Sequence, residues 1–325
     1  MTHNCVYTKN NFYVNTVAFH KRRDILLSGN IAGELQLYSW ENPELTFIST
    51  INNVHSKSVR RADISQSGAD IISVSADKRA ALTDIEKGSL KWRSKKHDAG
   101  VSAFCQVNDN IIATGDDDGG IMLWDTRVTK AACKDKCTEF TSSIEGIMLG
   151  KDPHDLLAIS DDQLACFSMK KSAKISLRSM SDNVEDEFVS FCYMKNQRKV
   201  VCGSNTGNIC LFSYGHWGDI NDRLTVGAHS LDSILPYNDD VLLVGGDDKS
   251  IRVATLLPNE VKGKMKCIGK MDIDVLSTDS LCLNMDSSVL AFIANYEYIC
   301  IVPTDEVERL LDGDTEESSF FDDLE

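Results

Sequence analysis

The chain has 325 residues, 42% apolar and 26% charged, with 20 Gly and 5 Pro, which supports a full hydrophobic core and excludes wholesale disorder. A formal net charge of −15 excludes a protein that grips nucleic acid by bulk electrostatics. No apolar run approaches the ~18 residues of a membrane span, and the polar stretch Met1–Asn11 is not expected to act as a signal peptide.

In chain order, a short apolar run led by a polar residue occurs seven times. The runs are Asp24–Leu27, Asp70–Ser73, Asn110–Ala113, Asp155–Ala158, Lys199–Cys202, Asp240–Leu243 and Ser288–Ala291. Each is followed by a turn and an alternating run that carries Leu35/Leu37, Ala80/Leu82, Ile121/Leu123, Leu164/Cys166, Ile209/Leu211, Ile251/Val253 or Ile299/Ile301. With Gly115 as the marker, the equivalents Gly29, Val74, Ala158, Gly203, Gly245 and Ile293 recur every 41 to 48 residues. Period-two alternation means strands with one buried face.

Another strand candidate precedes each apolar run: Val14–His20, Val59–Ser65, Val101–Val107, Ile144–Gly150, Phe188–Met194, Leu231–Tyr237 and Thr278–Met285. Weaker candidates follow the alternating runs, such as Leu45–Ile51, Ser89–Lys95 and Ile175–Met180. No segment sustains a helical period. Three or four short antiparallel strands in a repeat of this length build a β-propeller blade. One blade cannot cover its own apolar faces, whereas seven in a ring cover each other and leave no long free edge. The predicted fold is therefore all-β, a seven-bladed propeller over residues 1–304. The seventh unit lacks its fourth strand, which His3–Thr8 is expected to supply, joining the chain ends; the competing strand is Val307–Leu311.

Residues 305–325 hold ten acidic residues against Arg309, a net −9 that leaves −6 for the rest. This stretch reads as an acidic, disordered tail. Phe320-Phe321 is its one apolar spot expected to dock elsewhere, and Ser318 and Ser319 are candidate kinase sites. Eleven Cys is an odd number, and Cys105, Cys166, Cys192, Cys202, Cys210, Cys282 and Cys300 lie in apolar strings, which points to a reducing compartment. Cys133 and Cys137 lack a second Cys/His pair nearby, so no zinc site is expected.

Unit three reads His97, Thr114, Asp118-Gly119-Gly120 and Trp124-Asp125. It resembles the WD-repeat family. The resemblance implies a buried tetrad of His97 to Asp118, His97 to Thr114, and Thr114 to the indole of Trp124. Fragments remain in unit two, as His55 with Ser73 and Asp77, and in unit six, as His229 with Asp248. Thr83 and Ala254 stand in the Trp position there, and units four, five and seven lack the His. The run Asp116–Gly120 also has the look of a metal or phosphate loop, but it has no EF-hand Glu and no P-loop Lys-Ser/Thr, and it reads as a turn. Nothing favours an enzyme: there is no nucleophile elbow, metal-ligand spacing or dinucleotide fingerprint. No cofactor and no metal are expected.

Further stretches are similar to one branch of that family, the WD repeat-containing protein 55 group. They are Ile112–Arg127, Val184–Phe188, Arg198–Gly203, Trp217-Gly-Asp219 with Asp222-Arg223, and Leu257-Pro-Asn259. The resemblance implies a non-catalytic, monomeric scaffold in the nucleus and nucleolus, working with pre-ribosomal assembly factors in ribosomal RNA synthesis and large-subunit assembly. Relatives often carry a basic C-terminal stretch where this chain is acidic, so a nuclear address rests on the likeness alone. Trp124-Asp125-Thr126-Arg127 also fits the motif by which some WD-repeat substrate receptors engage the adaptor of a cullin-RING ubiquitin ligase, which makes Asp125 and Arg127 candidate partner-binding residues. Lys57, Arg60 and Arg61, at the start of a first strand, are candidates for an acidic partner or RNA phosphate.

Overall fold

The computed structural model describes residues 5–41, 44–128, 133–169, 174–265 and 271–312. Each repeat folds as a four-stranded antiparallel sheet, and seven such sheets are present. The first comprises β2 (Val14–Phe19), β3 (Ile25–Asn30), β4 (Leu35–Glu41) and β5 (Glu44–Ile51), paired in chain order. The third comprises β10 (Val101–Asn108), β11 (Ile111–Asp116), β12 (Ile121–Asp125) and β13 (Cys133–Cys137). The remaining first strands are β6 (Val59–Ile64), β14 (Ile144–Leu149), β18 (Phe188–Met194), β22 (Ser233–Pro236) and β26 (Thr278–Leu283). Each packs on its neighbour, and β2 touches both β6 and β26, so the sheets close into a ring around a central channel.

The last blade settles the closure. Its own strands are β26, β27 (Val289–Ala294) and β28 (Tyr298–Pro303), and β1 (Val6–Lys9) adds the fourth. The register runs from Val6 opposite Ile301 to Lys9 opposite Tyr298, antiparallel. The competing segment is not a strand: α1 (Asp305–Asp312) occupies it. For residues 305–312 the expectation of a disordered tail is corrected; residues 313–325 lie outside the described residues. Val307, Leu310 and Leu311 lie three and four apart, the spacing of a helical stripe. Val307 and Leu310 bury it among Met265, Met271 and Val302. Asp305, Glu306 and Glu308 sit in the first turn, where the helix dipole favours negative charge. The Tyr237 hydroxyl donates to Glu308 Oε1 at 2.7 Å. Phe320-Phe321, Ser318 and Ser319 lie outside the described residues.

The core lies between blades. Val14, Phe19 and Leu26 of the first pack with Ile293, Ile299 and Ile301 of the last. Ala103 and Leu123 of the third pack with Ile144 and Phe167 of the fourth. A fully buried Ile, Leu or Phe contributes about 1.5–3 kcal/mol, so each seam is a principal source of stability. Gly115 shows why the marker position admits glycine: a Cβ there would lie 2.5 Å from the Ile144 side chain of the next blade.

Candidate protein-interaction surface

In a meander blade, the start of the first strand lies beside the turn from second to third strand. Val101 opposes Asp116, and Asp117 N donates to Gly100 O at 2.9 Å. These starts and turns form one face of the ring, called the upper face here. Trp124-Asp125 ends β12 at the opposite, lower face.

The tetrad of blade three joins the upper turn to the sheet. His97 Nδ1 lies 2.9 Å from Asp116 Oδ2 and its Nε2 lies 2.9 Å from Thr114 Oγ1. Trp124 Nε1 donates to Thr114 Oγ1 at 2.7 Å. With Nδ1 protonated toward the carboxylate, the Thr114 hydroxyl donates to Nε2, and every member is paired. The carboxylate expected here was that of Asp118, and the structure assigns the role to Asp116. Asp116 ends β11 and is 1% exposed, whereas Asp118 stands out in solvent on the turn. Gly119, at φ +80°, reverses the chain, and the Asp116 carboxylate accepts from Gly120 N at 2.7 Å and Asp118 N at 3.2 Å. Burial raises the Asp116 pKa, but His97 and these amides outweigh it and hold the carboxyl below its usual range.

Blade two keeps the same geometry with Ser73. His55 Nδ1 is 3.1 Å from Asp77 Oδ2 and Nε2 is 2.9 Å from Ser73 Oγ. The arrangement has the order of a hydrolytic Ser-His-Asp set. Ser73 is fully buried, so its hydroxyl meets no substrate; it braces the blade. Thr83, in the Trp position, buries an Oγ1 with no hydrogen-bond partner among the described residues. In blade six, the expected His229–Asp248 pair does not form. His229 is exposed, and Asp248 instead pairs with Arg252, a buried guanidinium that also donates to Gly227 O at 2.7 Å. Arginine's longer reach and several donors let it serve turn and preceding loop together.

The candidate partner residues fall in different places. On the lower face, Arg127 folds back on Asp125, with Nε at 2.9 Å from Oδ1 and Nη2 at 2.7 Å from Oδ2. Its side chain stays 64% exposed. Lys57, Arg60 and Arg61 do not gather into one basic patch. Lys57 is exposed, Arg60 pairs with Asp117 of blade three, and Arg61 enters the channel and donates to Glu145 O at 2.8 Å. Arg61 is wet yet ringed by protein; that enclosure lowers its pKa, with Glu145 opposing.

The channel, about 640 Å³, is lined by first-strand residues of every blade. Its ionisable groups were invisible as a set in the sequence, being contributed by separate repeats. Asp63 lies inside, its pKa raised by burial against the opposing charge of Lys21. At the upper start of β26, Asp279 is 8% exposed and accepts from Ser277 Oγ at 3.1 Å. Burial, with Asp232 and Asp247 adding repulsion, pushes its pKa up to about 7 despite that hydrogen bond.

Comparisons with known proteins agree with this architecture. The family model "WD domain, G-beta repeat" matches residues 88–125, which hold most of the tetrad blade. WD repeat-containing protein 55 of Bos taurus is 34% identical over 251 residues, 77% of this chain and 65% of the relative. The Homo sapiens protein of that name is 33% identical over 77% of this chain and 64% of its own length. The Arabidopsis thaliana protein is 28% identical over 91% of this chain and 81% of the relative. The chain thus spans just under two thirds of the mammalian relatives. With seven closed blades, a paired His-Thr-Trp-Asp tetrad and these relatives, the chain is a seven-bladed β-propeller that carries a WD repeat and is similar over most of its length to WD repeat-containing protein 55.

Proposed function

We propose that this propeller is a non-catalytic protein-interaction scaffold in nucleolar ribosome biogenesis, serving ribosomal RNA synthesis or processing and large-subunit assembly. The observation that carries this reading is the likeness to WD repeat-containing protein 55 over most of the chain. The fold supports the scaffold part: a ring whose seams are packed dry presents loops on a rigid frame, where partners bind. Nuclear and nucleolar residence is part of the proposal. Affinity purification of the tagged chain with and without RNase tests it. Recovery of pre-ribosomal assembly factors is expected, and their absence together with exclusion of the fluorescently tagged chain from the nucleolus would refute it. RNase-sensitive recovery would identify RNA as the bridge.

The second reading, a cullin-RING substrate receptor, is favoured by Arg127, whose side chain remains largely exposed although Asp125 holds two of its donors. Its test is Arg127→Ala. Loss of ligase adaptor from the purified complex supports the receptor, and undiminished recovery rejects it.

A further inference from the structure

The upper face is not uniform. Five exposed large hydrophobic residues lie at the seam between blades seven and one: Phe12 (45%), Tyr13 (52%), Ile31 (43%), Leu276 (54%) and Tyr296 (47%). Phe12 and Tyr13 precede β2, and Ile31 sits in the turn after β3. Leu276 precedes β26, and Tyr296 sits in the turn between β27 and β28. Hydrogen bonds fix them side by side. Ile31 N donates to Tyr13 O at 2.9 Å, and Val14 N to Tyr296 O at 2.7 Å. Asn295 Oδ1 accepts from Leu276 N at 2.7 Å, and its Nδ2 donates to Asp274 O at 2.7 Å. These hydrogen bonds set the exposed apolar residues on adjoining segments of two blades, an apolar strip on the upper face.

Two further observations show that the strip is displayed rather than merely uncovered. Asn295 and Tyr296 form a hairpin turn with φ +54° and +59°, closed by Glu297 N to Ala294 O at 3.1 Å. Gly and Asn suit that conformation, and an aromatic residue held there costs about 1–3 kcal/mol. Beside it stand Asp232, Asp247 and Asp279, whose charges act on the Tyr296 hydroxyl and, after burial, raise its pKa. Asp232 and Asp247 are exposed and form no ion pair among the described residues.

We propose that the Tyr13–Ile31–Leu276–Tyr296 strip on the upper face, with Asp232 and Asp247 at its edge, is the docking site for a partner peptide that combines aromatic or aliphatic anchors with Lys or Arg. Tyrosine supplies large contact area at low entropic cost and is enriched among residues that dominate binding energy. The acids select a cationic segment and steer its approach. An acidic segment, including the acidic residues after 312 in this chain, meets like charge here. The proposal rests on the scaffold reading and not on its ribosomal setting.

The test measures fluorescence polarisation of a labelled Lys-Leu-Lys-Phe repeat peptide on the full chain, beside a version with Glu for Lys and one with Gly for Leu and Phe. Binding of the first peptide alone is expected, weakening with salt and with protection from hydrogen exchange at residues 11–14, 274–277 and 294–297. Tyr296→Asn suits the turn and keeps the fold, and Leu276→Asp changes only an exposed side chain. Each is expected to weaken binding roughly tenfold, as is Asp232→Lys with Asp247→Lys. Undiminished binding in these variants, equal binding of the Glu peptide, or protection confined elsewhere overturns the proposal. So does a dimer that Tyr296→Asn dissolves, which makes a second copy the occupant, or peptide binding that appears only after residues 313–325 are deleted, which makes the chain's own tail the occupant. Absence of pre-ribosomal proteins from purifications would defeat the ribosomal setting and leave these outcomes unaffected.

Discussion

Asp116→Ala and Asp118→Ala separate two accounts of the blade-three turn. Asp116 accepts from His97 Nδ1, Gly120 N and Asp118 N, all at 2.7–3.2 Å, in a place 1% exposed. Its removal orphans a buried imidazole N–H and a buried amide, and loosens the donor chain through Thr114 to Trp124. Hydrogen bonds to a charged group contribute about 1.5–3 kcal/mol each, and each buried donor left unsatisfied costs about 1–3 kcal/mol. Asp116→Ala is therefore expected to cost about 3–5 kcal/mol, a fall in melting temperature of roughly 4–7 °C for a chain of this size. Asp118→Ala removes an exposed side chain and is expected to stay within about 0.5 kcal/mol. Circular dichroism melts, with hydrogen exchange over residues 111–125, read both. The pH adds a sign. Because the folded Asp116 carboxyl is held below its ordinary 3.8, its contribution is full above that value and fades as pH falls through the folded value, so wild type and Asp116→Ala converge in acid. An Asp118→Ala loss as large as that of Asp116→Ala, or an unchanged gap in acid, refutes the assignment.

Asp279 carries the opposite sign. Between its ordinary value of 3.8 and about 7 the folded chain keeps a proton that the unfolded chain has released, so stability falls over that interval, by at most about 4 kcal/mol at 1.36 kcal/mol per pH unit. Asp279→Asn is expected to raise the melting temperature at pH 8 and leave it unchanged near pH 3; parallel wild-type and variant profiles would exclude the burial argument. Thr83→Val replaces an unpaired buried hydroxyl with a methyl group of the same shape and is expected to stabilise by about 1 kcal/mol in chemical denaturation, a loss counting against it. Val307→Asp places a charge in the fully buried contact of α1 and is expected to cost more than about 3 kcal/mol. It should accelerate hydrogen exchange in Glu260–Lys264 and Tyr298–Pro303, and unchanged exchange there would mean the helix is an ornament.

The repeat was legible because burial of a sheet face writes itself into period two. The first strand of blade five spans Phe188–Met194 as the alternation indicates. In blade six, Leu231 was expected inside the strand, but its amide bonds to Ser204 O of the neighbouring blade and the strand starts at Ser233. Spacing could not choose among Asp116, Asp117 and Asp118, since consecutive turn carboxylates differ only in which one the last strand residue buries. Nor could it show that Arg252 would displace His229 from Asp248. The helix at Asp305–Asp312 had its apolar stripe in plain view, masked by the acidic charge around it. Tyr13 and Tyr296 lie at opposite ends of the chain, and nothing local marks them as neighbours; ring closure alone makes them so.

That closure also sets a timetable for biosynthesis. The Val6–Lys9 segment leaves the ribosomal tunnel ahead of all seven blades' own strands, yet its pairing partner Tyr298–Ile301 emerges roughly 290 residues later. At about 5–20 residues per second, the leading segment waits on the order of tens of seconds with its ladder groups unpaired. Six wedges can stack as they appear, but the velcro that holds the first to the last is completed only after Tyr298–Pro303 has emerged. The nascent chain therefore has a long interval in which a chaperone, or another copy's loose leading segment, competes for the same groove.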